Sequence, residues 1–350
     1  MNELISGIQQ VGIGVPDADE TWQWYRKTLG LNVPIFNDEA DAALMTRYTS
    51  GEVRRRHAIM ALNMAGGGGV EIWQYKNRVP VVPTQKPKLG DLGIFAVKIK
   101  SLEVKKFHEQ LPQNQNKSTL LTNPSNEHHF WLSDNHQNLL QIVGNDSWFR
   151  PNGHLTGGVC GVLIGVSDIE KSIDFYANTL KVSEIVYDHT GTFDDFAYLE
   201  SSHHRFRRVL LRKPLGLAGA FGKLLGSIEI ELVQALDRTP QHLFEGRDWG
   251  DAGFIHLCFD ALDMDALKTQ CQQKGYPFTV DSANSFDMGQ AAGRFSYVED
   301  PDGTLIEFVE THKVPILKKF GLYLNLKKRR KQTHLPDWMV ATLGWSKVKD

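Results

Sequence analysis

The feature that most constrains this 350-residue chain is an internal repeat. Ile8-Gln9-Gln10-Val11-Gly12-Ile13-Gly14-Val15-Pro16-Asp17 leads into Trp24-Tyr25 and ends at Thr28-Leu29-Gly30. The same text returns as Gly161-Val162-Leu163-Ile164-Gly165-Val166-Ser167-Asp168, then Asp174-Phe175-Tyr176 and Thr179-Leu180, offset by 151 positions. Gly90-Asp91-Leu92-Gly93 returns as Gly250-Asp251-Ala252-Gly253, offset by 160. A long-period repeat sets the architecture before any single motif does.

Each copy splits into two modules with one rhythm: a strand, a helix, then strands. They cover about 7–78, 90–145, 158–236 and 252–310. In the first, residues 8–15 read as a strand and Asp17-Ala18-Asp19-Glu20 opens a helix that stops at Gly30. Strands are predicted over 31–36, 55–63 and 69–75. The second has a strand at 93–99, a helix at 101–111 and a closing strand at 138–143. In the fourth, Ala261 to Leu267 opens a helix and Leu305-Ile306-Glu307-Phe308-Val309 is the last strand. Turn chemistry at Arg150-Pro151-Asn152-Gly153 marks a boundary. The expectation is an α+β chain: domain 1–149, domain 154–312 and an extension, 313–350.

Net charge is −2, so the overall balance points to no nucleic-acid partner. Cys160, Cys258 and Cys271 form no Cys-x-x-Cys pair and suit a reducing cytoplasm. No apolar run approaches the ~18 residues of a membrane span. Met1 to Ile5 lacks the pattern of a secretion signal.

Paired βαβββ modules, Val-x-Asp after the first strand, Phe-Tyr in the helix and Asp300-Pro301-Asp302-Gly303-Thr304-Leu305-Ile306-Glu307 resemble the vicinal oxygen chelate superfamily. That group holds glyoxalase I, bleomycin-resistance proteins and extradiol dioxygenases. The resemblance covers about 7–312 and implies two cupped, mixed sheets, each made from two modules. It also implies a divalent metal in a cup, held by the first and last strands of the modules. The four ligand positions fall on Gln10, Glu71, Ala96 and Gln141 in the first copy, and on Gly161, Glu231, His256 and Glu307 in the second.

The two sets differ in chemistry. Amide oxygens are weak ligands for a transition ion and alanine is none, so the first copy is expected to be metal-free. The second offers Glu231, His256 and Glu307, which suit Fe²⁺, Mn²⁺, Ni²⁺ or Zn²⁺, with Gly161 leaving a coordination position open. Such an ion would chelate vicinal oxygens of a small substrate and stabilise an enolate, with Glu231 or Glu307 moving the proton. This is a lyase or isomerase resembling glyoxalase I. An extradiol dioxygenase fits less well, because Gly161 stands at one of its histidine positions and no histidine lies in Gln290 to Tyr297. A non-catalytic binding or resistance protein is the third reading. Read as an isolated strand residue, each of the three ligands has an ordinary alternative: His256 in the core, and the two glutamates facing solvent.

Other features carry weaker expectations. Pro214 to Gly226 is apolar and glycine-rich and reads as a lid or a packed connection. Gly66 to Gly69 reads as a hairpin, not a phosphate loop. Arg54-Arg55-Arg56-His57 and Arg205-Phe206-Arg207-Arg208 read as solvated strand edges, or as contacts for an anionic substrate. His203 and His204 read as loop residues. The tail, with Trp338, Met339, Leu343 and Trp345, reads as an element docked on the protein or at a subunit contact; a monomer or a homodimer would both fit.

Overall fold

The computed structural model describes residues 2–213, 218–283, 286–287, 292–317, 322–327 and 329–349. The first module comprises β1 (Ile5–Gly14), α1 (Ala18–Leu29), β2 (Val33–Asp41), β3 (Arg55–Leu62) and β4 (Gly69–Tyr75). The second has β5 (Gly93–Ser101), α2 (Val104–Gln110), β6 (Leu121–Thr122), β7 (His128–Ser133) and β8 (Leu139–Gly144). The third has β9 (Thr156–Gly165), α3 (Ile169–Ile173), β10 (Glu184–Gly191), β11 (Phe206–Lys213), α4 (Gly222–Leu225) and β12 (Ile228–Ala235). The fourth has β13 (Gly253–Ala261), α5 (Met264–Gln273), β14 (Val280–Asp281), β15 (Phe286–Asp287), β16 (Ala292–Glu299) and β17 (Leu305–Leu317). The tail adds β18 (Leu322–Asn325) and α6 (Asp337–Ala341).

The local signals act as expected. Asp17 accepts a hydrogen bond from the Glu20 amide at 2.9 Å, and Gly30 closes α1 at φ +67°. Ala18, Thr21, Trp22, Tyr25 and Leu29 form the buried face of that helix at helical spacing. Asp168 caps α3 in the same way, and a wider π turn over 174–179 then buries Phe175 and Tyr176.

The modules form two cupped mixed sheets, as expected, but not by pairing with their sequence neighbours. One sheet runs β14-β16-β17-β13-β1-β4-β3-β2, with β15 and β18 at its side. The other runs β10-β11-β12-β9-β5-β8-β7-β6. Thus module one shares a sheet with module four through antiparallel β1 and β13, and module two with module three through β5 and β9. The halves 1–149 and 154–312 therefore each feed both sheets, which corrects the expectation that consecutive modules build one cup.

The repeated Gly-Asp-x-Gly loop shows how partners are chosen. A Cβ on Gly14 would lie 1.9 Å from the Asp251 carbonyl oxygen, and one on Gly165 would lie 1.9 Å from that of Asp91. Each loop rests on the bare end of the first strand of its sheet partner. The tetraglycine run also joins the sheets. Gly68 exchanges backbone bonds of 2.7 and 2.8 Å with Val159, and a Cβ on Gly158 would lie 2.1 Å from the Gly68 oxygen. It is a close backbone crossing between sheets, not a free hairpin.

Consecutive modules still touch through helix tyrosines. Tyr25 donates to Asp134 at 3.2 Å and Tyr176 to Asp300 at 2.9 Å. Asp300 also accepts the Asp302 and Thr304 amides, so the Asp-Pro-Asp-Gly motif is a turn that sets up β17.

The tail packs as expected through Met339 and Leu343, which join Val33, Met60, Leu62 and Leu335. Trp338 and Trp345 do not: they are 63% and 69% exposed. Leu224 and Leu225 of the glycine-rich loop are buried, so its described part is a packed connection, while residues 214–217 lie outside the described residues. Lys318, Lys319 and Lys328, basic residues of the extension 313–350, lie outside them too.

Candidate metal centre

Inside the first cup, four side chains converge from four strands: Gln10 on β1, Glu71 on β4, His256 on β13 and Glu307 on β17. Ligand atoms of Glu71, His256 and Glu307 lie within 4.8 Å of one another, and all three residues are buried. His256 Nε2 is 3.1 Å from Glu307 Oε2 and 3.3 Å from Glu71 Oε2. It makes no hydrogen bond of good geometry with either. The Gln10 amide donates from Nε2 to Glu71 at 3.1 Å and to Glu307 at 3.5 Å. Two carboxylates this close repel by about 3 kcal/mol at an effective dielectric near 20. Burial alone would lower the affinity of His256 for a proton, but Glu307 and Glu71 outweigh it and push its pKa up to about 9. The cup thus favours positive charge at its centre.

Backbone shape holds the imidazole there. Gly12 pairs with His256 across the β1–β13 ladder, and a Cβ at Gly12 would lie 2.3 Å from the ring. We expect Gly12→Ala to displace the ring and weaken Zn²⁺ binding about tenfold or more, while the protein still melts cooperatively. Zinc titration alongside a thermal melt checks this.

Glu231, expected beside His256, is elsewhere. It lies on β12 in the second cup, where the four corresponding positions are Ala96, Gln141, Gly161 and Glu231. There Arg208 Nε donates to Glu231, and Lys98 Nζ lies 2.8 Å from its other oxygen. Arg208 also grips Asp195 with bonds of 2.9 and 2.7 Å, while Lys98 reaches Glu229 at 3.2 Å. Gln141 bonds His129 at 3.1 Å. Although burial raises the Glu231 carboxyl, Arg208 and Lys98 more than offset it and hold it at about 2. A carboxylate held this way is neither a free ligand nor a base. The assignment of Glu231 as ligand and base is corrected, and so is the expectation of an open fourth position at Gly161: in the cup of His256 that position is Gln10.

Strand register shows why the cups differ. Lys98 pairs with Gly161, whereas the residue paired with Gln10 is Cys258. Arg208 pairs with Val233, two residues beyond Glu231; Ala58 pairs with Trp73, two beyond Glu71. The second cup therefore carries its own cations, at positions where the first has a thiol and a methyl group. This also corrects the reading of Arg208 as a solvated edge residue, since it is 0% exposed. Arg54, Arg55 and Arg207 do form ion pairs nearer the surface, with Asp248, Glu39 and Asp188. His204 pairs with Asp237 in a loop outside either cup.

Two crossed βαβββ pairs with a Gln, Glu, His, Glu quartet in one cup are the arrangement that the resemblance to the vicinal oxygen chelate superfamily implies. Residues 154–308 match the family model for the Glyoxalase/Bleomycin resistance protein/Dioxygenase superfamily. No curated protein sequence matches the chain. Glyoxalase I from Zea mays superposes with a TM-score of 0.51 at 13% identity, covering 87% of this chain and 92% of that one. A putative dioxygenase from Bacillus subtilis superposes at 0.53 with 15% identity, covering 88% and 86%. At these identities the likeness is one of fold. Glu71 and Gln10 are the two residues of this vicinal oxygen chelate quartet that a half-by-half reading misses. Both stood at positions the resemblance marks, and only the module partner was wrong.

Proposed function

We propose that this protein is a divalent-metal-dependent lyase or isomerase of the glyoxalase type, active in the cup built by modules one and four. The observation that carries the reading is the buried His256 Nε2, aimed between the Glu71 and Glu307 carboxylates with no hydrogen-bond partner among the described residues. Glu71, His256 and Glu307 would hold the ion, joined by the Gln10 oxygen once the amide turns to exchange it for Nε2; Fe²⁺, Mn²⁺, Ni²⁺ or Zn²⁺ suits one nitrogen and three oxygens. When bound, it would supply Lewis-acid polarisation to two vicinal oxygens of a small substrate.

The chain's own groups do the rest. Burial keeps water away from the site. Glu307 takes the proton from the carbon next to the polarised oxygen and returns it; Glu71 is the alternative base on the opposite wall. Tyr297 faces Glu307 across the ladder, its hydroxyl 3.5 Å from His256 Nδ1. A donor set with one histidine and two carboxylates differs from the two-histidine, one-carboxylate set of non-haem iron oxygenases, which favours proton transfer over oxygen activation. Both cups are complete within one chain, so we assign activity to the monomer.

Cys160, Cys258 and Cys271 are unpaired and buried, which fits a cytoplasmic protein. Among the described residues, no helix is long and apolar enough to cross a membrane.

The test is solvent deuterium exchange at the hydroxyl-bearing carbon of α-hydroxy ketones, followed by NMR with metal-loaded protein. Exchange that needs the metal and is lost in Glu307→Gln supports the reading. Metal-loaded protein inactive across the panel would count against it.

A further inference from the structure

Two indole N–H groups in the first cup have no acceptor among the described residues. Trp73 Nε1 and Trp249 Nε1 are buried and unpartnered, in side chains only 6% and 5% exposed. Buried donors are normally satisfied, and leaving one bare costs free energy. Both belong to the candidate centre. Trp73 lies two residues beyond Glu71 on β4, so it faces the same side of the sheet. The Trp249 ring stacks on His256 at 6.3 Å and 18°, and meets Trp73 edge to face at 4.3 Å.

The wall they form is held in place. The Trp249 amide donates to the Tyr48 carbonyl at 2.8 Å, and the Tyr75 hydroxyl donates to the Trp249 carbonyl. The Arg56 guanidinium sits 5.2 Å over the Trp73 ring. Trp249 also lines a cavity of about 390 Å³, together with Tyr48, Phe244, Ile255 and Leu305. Ile255 precedes His256, and Leu305 lies two residues before Glu307. The cavity lining thus includes strand neighbours of two candidate ligands, and its size suits the arm of a small molecule.

We propose that Trp73 and Trp249 form a substrate subsite, resting on the metal reading above. Trp249, which lines the cavity, takes a planar aromatic arm, and the two N–H groups donate to the oxygens of the chelating head. The substrate class is a vicinal-oxygen compound carrying an aryl group.

The test compares acetohydroxamate with benzohydroxamate on Zn²⁺-loaded full-length protein by calorimetry. Both chelate through the same two oxygens and differ only in methyl against phenyl. The wild type binds benzohydroxamate ~10-fold or more tighter, and in Trp249→Leu this preference falls below about threefold. Trp249→Phe keeps the preference but binds both probes more weakly, because one donor is gone. Its melting temperature does not fall for want of a hydrogen bond, since the donor had no partner in the fold.

Equal affinities for the two probes on zinc-loaded wild type would overturn the subsite and leave the metal reading intact. So would a preference unchanged in a folded, zinc-loaded Trp249→Leu. Wild type that takes up no zinc by elemental analysis would overturn the metal reading, and the subsite with it.

Discussion

Replacing Arg208 by methionine is expected to destabilise the protein by about 3–5 kcal/mol. Arg208 is fully buried and bonds Glu231 and Asp195 at once. Without it, two carboxylates stay in the core with Lys98, the Tyr187 hydroxyl and His129 as charged or polar neighbours. Removing one partner of a buried ion pair costs far more than replacing both. The double variant Arg208→Met with Glu231→Leu should therefore recover part of the loss, and a double-mutant cycle by urea denaturation measures the coupling. Metal content should not change in either variant, because the Glu231 carboxylate of this cup is already held by Arg208 and Lys98.

Acid should act on the same network. Glu231 is held at about 2 in the folded chain, below its ordinary value of 4.5. Its contribution to stability is full above the ordinary value and is lost as pH falls toward 2. Glu231→Gln should flatten that part of the stability–pH curve.

The second large effect concerns His256. Its replacement by alanine is expected to cost at least about a hundredfold in metal affinity, since even a residue that only supports a ligand costs 10–100-fold. The pH dependence is specific. In the ion-free protein His256 is held at about 9, above its ordinary 6.5. Its contribution to stability is complete below the ordinary value and is lost as pH rises through 9. Metal binding runs the other way, because Nε2 must lose its proton first. Apparent affinity should rise about tenfold per pH unit up to about 9 and then level off. Competition titrations with a chelator of known pH dependence check the slope, which should vanish in His256→Ala.

The sequence carried the fold at the level of modules. The repeat gave four strand–helix–strand units, and Asp17, Gly30 and Asp168 marked helix ends as capping chemistry requires. The ligand positions were also readable: Gln10, Glu71, His256 and Glu307 all lie on residues matched by repeat offset. What the repeat does not encode is which module faces which. That depends on long-range contacts such as the Asp251 carbonyl over Gly14, between segments more than two hundred residues apart. Pairing by sequence order put Glu231 with His256, whereas pairing in space put Glu71 there. One signal was available: Arg208 and Lys98 stand near Glu231 in register, while Ala58 and Cys258 stand near Glu71. The orphaned indoles of Trp73 and Trp249 were out of reach, because a missing partner shows only in three dimensions.

The most direct test of the account is the metal content of Glu71→Ala beside that of Glu231→Gln, both loaded with zinc and dialysed before elemental analysis. The account predicts that the first loses its metal and the second keeps about one ion per chain, like the wild type. Metal retained in a folded Glu71→Ala but lost in a folded Glu231→Gln would contradict it.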